Sequence, residues 1–163
     1  MTNPSNSDPQ ADEIKLTHLM SSETVRAKAA VRDWEEATDA VGALLVNSGN
    51  VTPDYVQAMK RVLKEMGPYA VIAPGIVLLH ARPEDGVLKP CLGLVTLSTP
   101  VEFGHSENDP VDLVFALGAK DKQAHIAALQ QLAEMLGSEE ALADLRSAAD
   151  AEALVGTIKT WAK

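Results

Sequence analysis

A histidine stands at the end of an apolar run in "GIVLLHARPEDGV", residues 75–87, where His80 follows Ile76 to Leu79 and precedes an arginine and a proline. A buried strand usually gives way to Gly, Asn, Asp or Pro, so a titratable ring at this point sits where folds present chemistry. A second histidine, His125, lies in "KDKQAHIAALQQLAEML", within the first turns of a helical stretch that directly follows the apolar run "VDLVFALGA". Strand ends and helix N-termini are where α/β sheets place ligand sites, and their open N–H groups and helix dipole favour an anion such as phosphate. Two imidazoles at such a place can divide a phosphoryl transfer. One attacks phosphorus through a neutral ring nitrogen, and the other, or a nearby arginine, hydrogen-bonds the phosphoryl oxygens.

Each of these histidines has a plainer reading as a structural residue, and spacing alone does not separate the two. A metal site would need His80, His125 and a carboxylate from Glu84, Asp85, Glu107 or Asp109, but the chain contains no HxxxH or HxH spacing. The remaining histidines read as bystanders. His18, beside Leu16 and Leu19, is expected at the surface or in packing, and His105, in the polar loop "FGHSENDP", is expected to be solvated.

The elements that must position His80 and His125 follow from the apolar periodicity. Trp34, Ala37, Val41, Leu44 and Leu45 recur at helical spacing after Asp33 and stop at "NSGN". Thr52 and Pro53 make an N-cap and first helical residue, and Val56, Met59 and Leu63 carry a second helix to Gly67-Pro68. The texture then changes to short β-compatible runs, "YAVIA", "GIVLL", "CLGLVTLS" and "VDLVFALGA", separated by Pro, Gly and acidic residues. Helical period returns after Ala119, with Asp121 as N-cap and Ile126, Leu129, Ala133 and Leu136 facing inward. Further helices begin at Ser138 and at Asp150, the last ending near Trp161. Helices before and after a central set of strands predict an α/β protein, a three-layer α/β/α sandwich around a mixed sheet.

Composition fits that expectation and narrows the function. The 163 residues suit one domain, expected over 14–163, with the Pro-, Ser- and Asn-rich residues 1–13 as a flexible tail. Hydrophobic residues make up 46% but aromatics only 4%, so the core must be aliphatic. A formal charge of -9, with the basic residues scattered, argues against nucleic acid or anionic membrane as partners. No apolar run reaches the roughly 18 residues that span a bilayer, and the N-terminus lacks a signal pattern, so the chain is expected in the cytoplasm without direct membrane insertion. Cys91 is the one cysteine, which excludes an intramolecular disulfide and a cysteine-based zinc site and reads as a small buried hydrophobe.

"GPYAVIAPGIVLLHARPEDGV" resembles the active-site segment of the enzyme IIA components of the bacterial phosphoenolpyruvate-dependent sugar phosphotransferase system. The likeness is to the mannitol/fructose type, and most to its ascorbate branch, through an APG…HARPE…GV pattern. "PVEFGHSENDPVDLVFALGAKDKQAHIAALQQLAEML" is similar to the second signature of that family. The resemblance implies that His80 accepts the phosphoryl group and that His125 is its partner histidine. Arg82, in HARPE, would hold phosphate or a partner's acidic edge, or else pair with Glu84. Arg61 is the nearest match to an arginine that approaches the histidine in the mannitol branch, at a spacing different by a residue or two, which favours a solvated helix-face role. Leu79 stands where family members often carry proline; its N–H and freer φ imply a less rigid strand end. The implied activity is a relay without metal or other cofactor: phospho-HPr donates to Nε2 of His80, and a cysteine of the cognate enzyme IIB receives, on the way to sugar at the membrane component IIC. A regulatory IIA protein of the nitrogen-related type and a non-catalytic domain of the same fold, binding a partner without phosphorylation, remain the alternatives.

Overall fold

The structure, a computed structural model, describes residues 15–162; the tail expected over 1–13 lies outside the described residues. The elements in chain order are α1 (Leu16–Leu19), β1 (Val25–Ala29), α2 (Trp34–Asn47), α3 (Pro53–Met66), β2 (Val71–Ala73), β3 (Ile76–Leu79), β4 (Cys91–Val101), β5 (Val111–Gly118), α4 (Lys122–Leu136), α5 (Glu139–Ser147) and α6 (Ala151–Trp161). The five strands form one mixed sheet in the order β1-β4-β5-β3-β2. β3 runs parallel to β5 and β1 to β4, while the β4–β5 and β2–β3 pairs are antiparallel.

The strands bury both faces because their apolar runs are continuous. In β3 all four residues are buried, with Val77 and Leu79 facing α2 and α3, and Ile76 and Leu78 facing the layer of α1, α4, α5 and α6. β5 repeats the pattern, Val114 and Ala116 on the first face and Leu113 and Phe115 on the second. A side-chain period of two thus feeds two aliphatic cores from one sheet, and the three-layer α/β/α architecture expected from the sequence is the one observed.

Three details depart from the sequence reading. β1, "VRAKA", alternates apolar and charged residues over only five positions, two of them alanine, and no strand is expected there; Lys28 inside it has a positive φ of 59°, where its register with β4 breaks. "YAVIA" contributes only Val71–Ala73 to the sheet, because Pro68–Ala70 form a 3₁₀ turn. The buried stripe of α4 is Ala124, Ala128, Leu132 and Met135, not Ile126, Leu129, Ala133 and Leu136. Both stripes have helical spacing, and the one that joins the second core is the one carrying Ala128, Leu132 and Met135. Ile126 is turned to solvent, and Leu129 and Leu136 pack at the flank.

Candidate functional site

The parallel pair β3–β5 decides where the two histidines meet. Register places Leu79 opposite Ala116, so the ends of both strands point the same way. His80 follows the first strand immediately, and β5 leads through Asp121 into α4, whose fourth residue is His125. Asp121 caps the helix by accepting from the Ala124 N–H at 2.8 Å, and the His125 N–H donates to the Asp121 carbonyl at 3.1 Å. The amides of Lys122 and Gln123, at the first two helical positions, have no carbonyl to pair with inside the helix.

The rings of His80 and His125 lie 5.1 Å apart between centroids, tilted by 58°. His80 is half-buried, and its Nδ1 is 3.2 Å from the Leu78 carbonyl oxygen. A carbonyl only accepts, so Nδ1 carries the proton in this bond and the Nε2 lone pair is left available. Burial lowers the pKa of His125, with the charge of His80 adding to the effect, which favours the neutral ring.

The segment after His80 is clamped to the start of α3. Thr52 N–H donates to the Gly86 carbonyl at 2.9 Å, Leu88 N–H to the Asn50 carbonyl at 2.8 Å, and Val51 pairs with Val87 in a single β-bridge. Gly86 is required there: its φ is +141°, and a Cβ would run into the Thr52 hydroxyl and come within 3.0 Å of the Tyr55 Cβ. Thr52 occupies the expected N-cap position of α3, but its side chain makes no capping bond. Pro53 already supplies a first residue without an N–H to satisfy.

Tyr55, which the sequence reading passed over, ties the two histidine supports together. It is fully buried, and its hydroxyl donates to the Leu117 carbonyl at 2.6 Å while accepting from the Ala81 N–H at 3.0 Å. Burial pushes the phenol up to about 12, so it remains a neutral donor. The available signal was a tyrosine on the apolar stripe of a helix, one of only two in the chain, because a buried tyrosine generally finds a polar partner for its hydroxyl.

Arg82 keeps 72% of its side chain exposed while pairing with Asp85 at 3.5 Å and Glu84 at 3.8 Å. Asp85 is desolvated, which alone would raise its pKa; bonds from the Arg82 amide and guanidinium, with the charges of Arg82 and Arg61, reverse this and lower it. Arg61 is exposed on α3 and enters the site electrostatically, through Asp85. Leu79 is buried and paired with Ala116, so the ladder holds the strand end that a proline would otherwise stiffen.

The other histidines lie elsewhere. His18 is exposed on α1. His105 is not the solvated side chain expected of its loop: it is half-buried, and its Nδ1 accepts from the N–H groups of Glu107 and Asn108 at 3.1 and 3.0 Å. Asp109 serves the same loop by accepting from Phe103, Gly104 and His105 N–H groups. Among the described residues no group of three or more His, Cys, Asp or Glu is placed to hold a metal ion. Cys91 is buried, and burial pushes its thiol up to about 12.

A mixed sheet covered on both faces thus sets two imidazoles side by side at the end of its parallel strands, next to the open amides of a helix N-terminus, a place suited to an anion. Residues 18–161 match the family described as "Phosphoenolpyruvate-dependent sugar phosphotransferase system, EIIA 2", and the chain belongs to that family. It is a phosphotransferase component that relays phosphate. The chain is 38% identical over 130 residues to the ascorbate-specific PTS system EIIA component of Escherichia coli K12, spanning 79% of this chain and 84% of that protein. The fold is similar to the solution structure of the mannitol-specific cryptic phosphotransferase enzyme IIA CmtB from Escherichia coli, with a TM-score of 0.78, 33% identity, and coverage of 90% and 99% of the two chains. It is also similar to enzyme IIAMTL in its complex with phosphorylated enzyme IIBMTL from Escherichia coli, with a TM-score of 0.76, 26% identity, and coverage of 86% and 97%. Among the described residues no helix is long and apolar enough to cross a membrane.

Proposed function

We propose that residues 14–163 act as one cytoplasmic phosphoryl carrier in which His80 receives the group from phospho-HPr and delivers it to a cysteine of the cognate enzyme IIB, in uptake of ascorbate or a related sugar. The observation that carries this reading is the His80–His125 pair, 5.1 Å apart, with Nδ1 of His80 engaged on the Leu78 carbonyl. In the first step the Nε2 lone pair of His80 attacks phosphorus, a new N–P bond forms, and the N–P bond of the donor histidine breaks, returning its electron pair to that ring. In the second step a thiolate attacks the same phosphorus, an S–P bond forms, and the His80 Nε2 recovers its lone pair. Neither step needs a metal or an external oxidant or reductant.

In this scheme His125 offers a ring N–H to the phosphoryl oxygens as their charge shifts, and its depressed pKa keeps it a neutral donor before the dianion arrives. Positioning and charge stabilisation are the whole of the catalytic task, as expected for phosphoryl transfer. Ile126, 47% exposed beside His125, and Leu88, 53% exposed at the end of the clamped segment, give the rim the apolar surface a transient docking partner needs. Arg82 presents its guanidinium from that rim to a partner's acidic edge, and Arg61 acts at longer range through Asp85.

The test is incubation with phosphoenolpyruvate, enzyme I and HPr, followed by mass analysis of the His80 peptide. An acid-labile gain of one phosphoryl group, absent from His80→Ala, is the expected result. Wild-type labelling in His80→Ala would remove His80 as acceptor, and no labelling of the wild type would leave a non-catalytic binding domain.

A further inference from the structure

We infer that Tyr55 is a positioning residue for phosphoryl transfer, its hydroxyl holding the His80 segment and the end of β5 at the separation that faces the two imidazoles toward each other. The inference rests on the reading of His80 as acceptor. Paired register between β3 and β5 runs only from Ile76↔Leu113 to Leu79↔Ala116. One step further, His80 and Ala81 lie outside the strand and the ladder to β5 does not continue. The Tyr55 hydroxyl joins the two segments there, accepting from Ala81 N–H at 3.0 Å and donating to the Leu117 carbonyl at 2.6 Å. It therefore supplies, through a side chain from α3, the bridge that the ladder stops providing beside the reactive ring.

Three features make this more than ordinary core satisfaction. The two bonds engage the residue after His80 and the penultimate residue of the strand that carries α4, so the hydroxyl touches both supports and neither histidine. A second bonding geometry is close at hand, since the same oxygen is 3.3 Å from the Ala81 carbonyl. Without the hydroxyl, the Ala81 amide and the Leu117 carbonyl lose a buried partner, and the cheapest relief is for the His80 segment to swing toward water. That swing would loosen the bond from Nδ1 to the Leu78 carbonyl, which sets the tautomer and leaves Nε2 as the nucleophile. Gly86 and Gly118 frame the same place: a Cβ on Gly86 would meet Tyr55, and one on Gly118 would come within 2.9 Å of the Cys91 sulfur.

The experiment compares wild type, Tyr55→Phe and Ile158→Val, the last a mild cavity in α6 on the opposite layer that controls for lost stability. Single-turnover uptake from phospho-HPr over a range of HPr concentrations separates kcat from KM, and ¹⁵N spectra of the His80 ring report its tautomer. Tyr55→Phe is expected to lower kcat about tenfold with KM unchanged, as a small misplacement of a reacting atom does. Its ring spectrum is expected to move from a single Nδ1–H form toward averaged tautomers. Ile158→Val should leave both readouts at wild type. Wild-type kcat and tautomer in folded Tyr55→Phe would overturn the inference, as would equal losses in Ile158→Val. Failure of Tyr55→Phe to fold would assign the hydroxyl to stability and overturn it as well. If the wild type takes no phosphate, the acceptor reading fails, and the ring spectrum still decides the positioning of His80.

Discussion

The two ends of the sheet each hold a histidine in a loop beside a strand, and the bonding of one ring nitrogen separates them. At the His80 end, Nδ1 donates to the carbonyl two residues back, the opposite nitrogen keeps its lone pair, and a second imidazole lies 5.1 Å away between centroids. At the far end, Nδ1 of His105 accepts from two backbone N–H groups, and the loop is drawn together around Asp109. The same residue type is a nucleophile in waiting at one end and a loop brace at the other. A ring whose acceptor nitrogen is consumed by the backbone has its chemistry spent on local structure.

Substitutions at the two ends sharpen this contrast, and the largest effect belongs to His80. Its replacement by alanine is expected to abolish acid-labile phosphorylation, whereas His105→Ala should label at the wild-type rate in the same assay. Equal labelling of the two variants would erase the distinction. Next in size is His125→Ala, which removes one donor to the transferring group. Phosphorylation should remain detectable while the single-turnover rates from HPr and to IIB fall by about 10²-fold, the usual cost of losing one such donor. Unchanged rates would reduce the 5.1 Å ring contact to packing.

Much of this arrangement can be read from residues before any coordinates. The continuous runs of β3 and β5 announce strands covered on both faces, and a histidine directly after one and early in the helix after the other is visible as a junction in the sequence. Their pairing is not visible, because it depends on β3 lying beside β5 in the sheet although β4 separates them in the chain. Tyr55 escapes for a related reason: its partners are 26 and 62 positions away, and a periodicity argument sees only its place on a helix stripe. α4 starts at the Asp121 cap and turns Ala124, Ala128, Leu132 and Met135 inward, so a stripe of larger aliphatics at the same spacing misleads. β1 is hidden by its composition, since Arg26 and Lys28 point to solvent from an edge strand, a use of charge that protects an open sheet edge.

The far end should reveal itself in stability rather than transfer. Asp109 accepts from the N–H groups of three residues at distances between 2.7 and 3.1 Å, and the Phe103 N–H reaches both of its oxygens. Asp109→Ala is expected to lower unfolding stability in urea by about 1–3 kcal/mol, the cost of stranding partly buried donors. Phosphoryl uptake per folded molecule should not change. A transfer defect without a shift of the urea midpoint would mean that the two ends communicate.

The smallest effect is the one that pH should bring out at His125. Burial, assisted by the charge of His80, holds its pKa below the ordinary value of 6.5, so on acidification the unfolded chain takes up this proton before the folded protein does. With more protons bound in the unfolded state, stability rises with pH in that window. The contribution is therefore intact above the unfolded value and is lost as the pH falls through the lower folded one. Substituting His125→Gln removes the titrating group but keeps a side chain able to hydrogen-bond. Urea midpoints across the range from neutrality to mild acid should decline less steeply for this variant than for wild type, and the corresponding His105→Gln series would show whether the effect is particular to the paired site. Parallel slopes for wild type and His125→Gln would mean that neither burial nor proximity to His80 couples the titration of His125 to folding, and would leave the ring contact a matter of transfer chemistry alone.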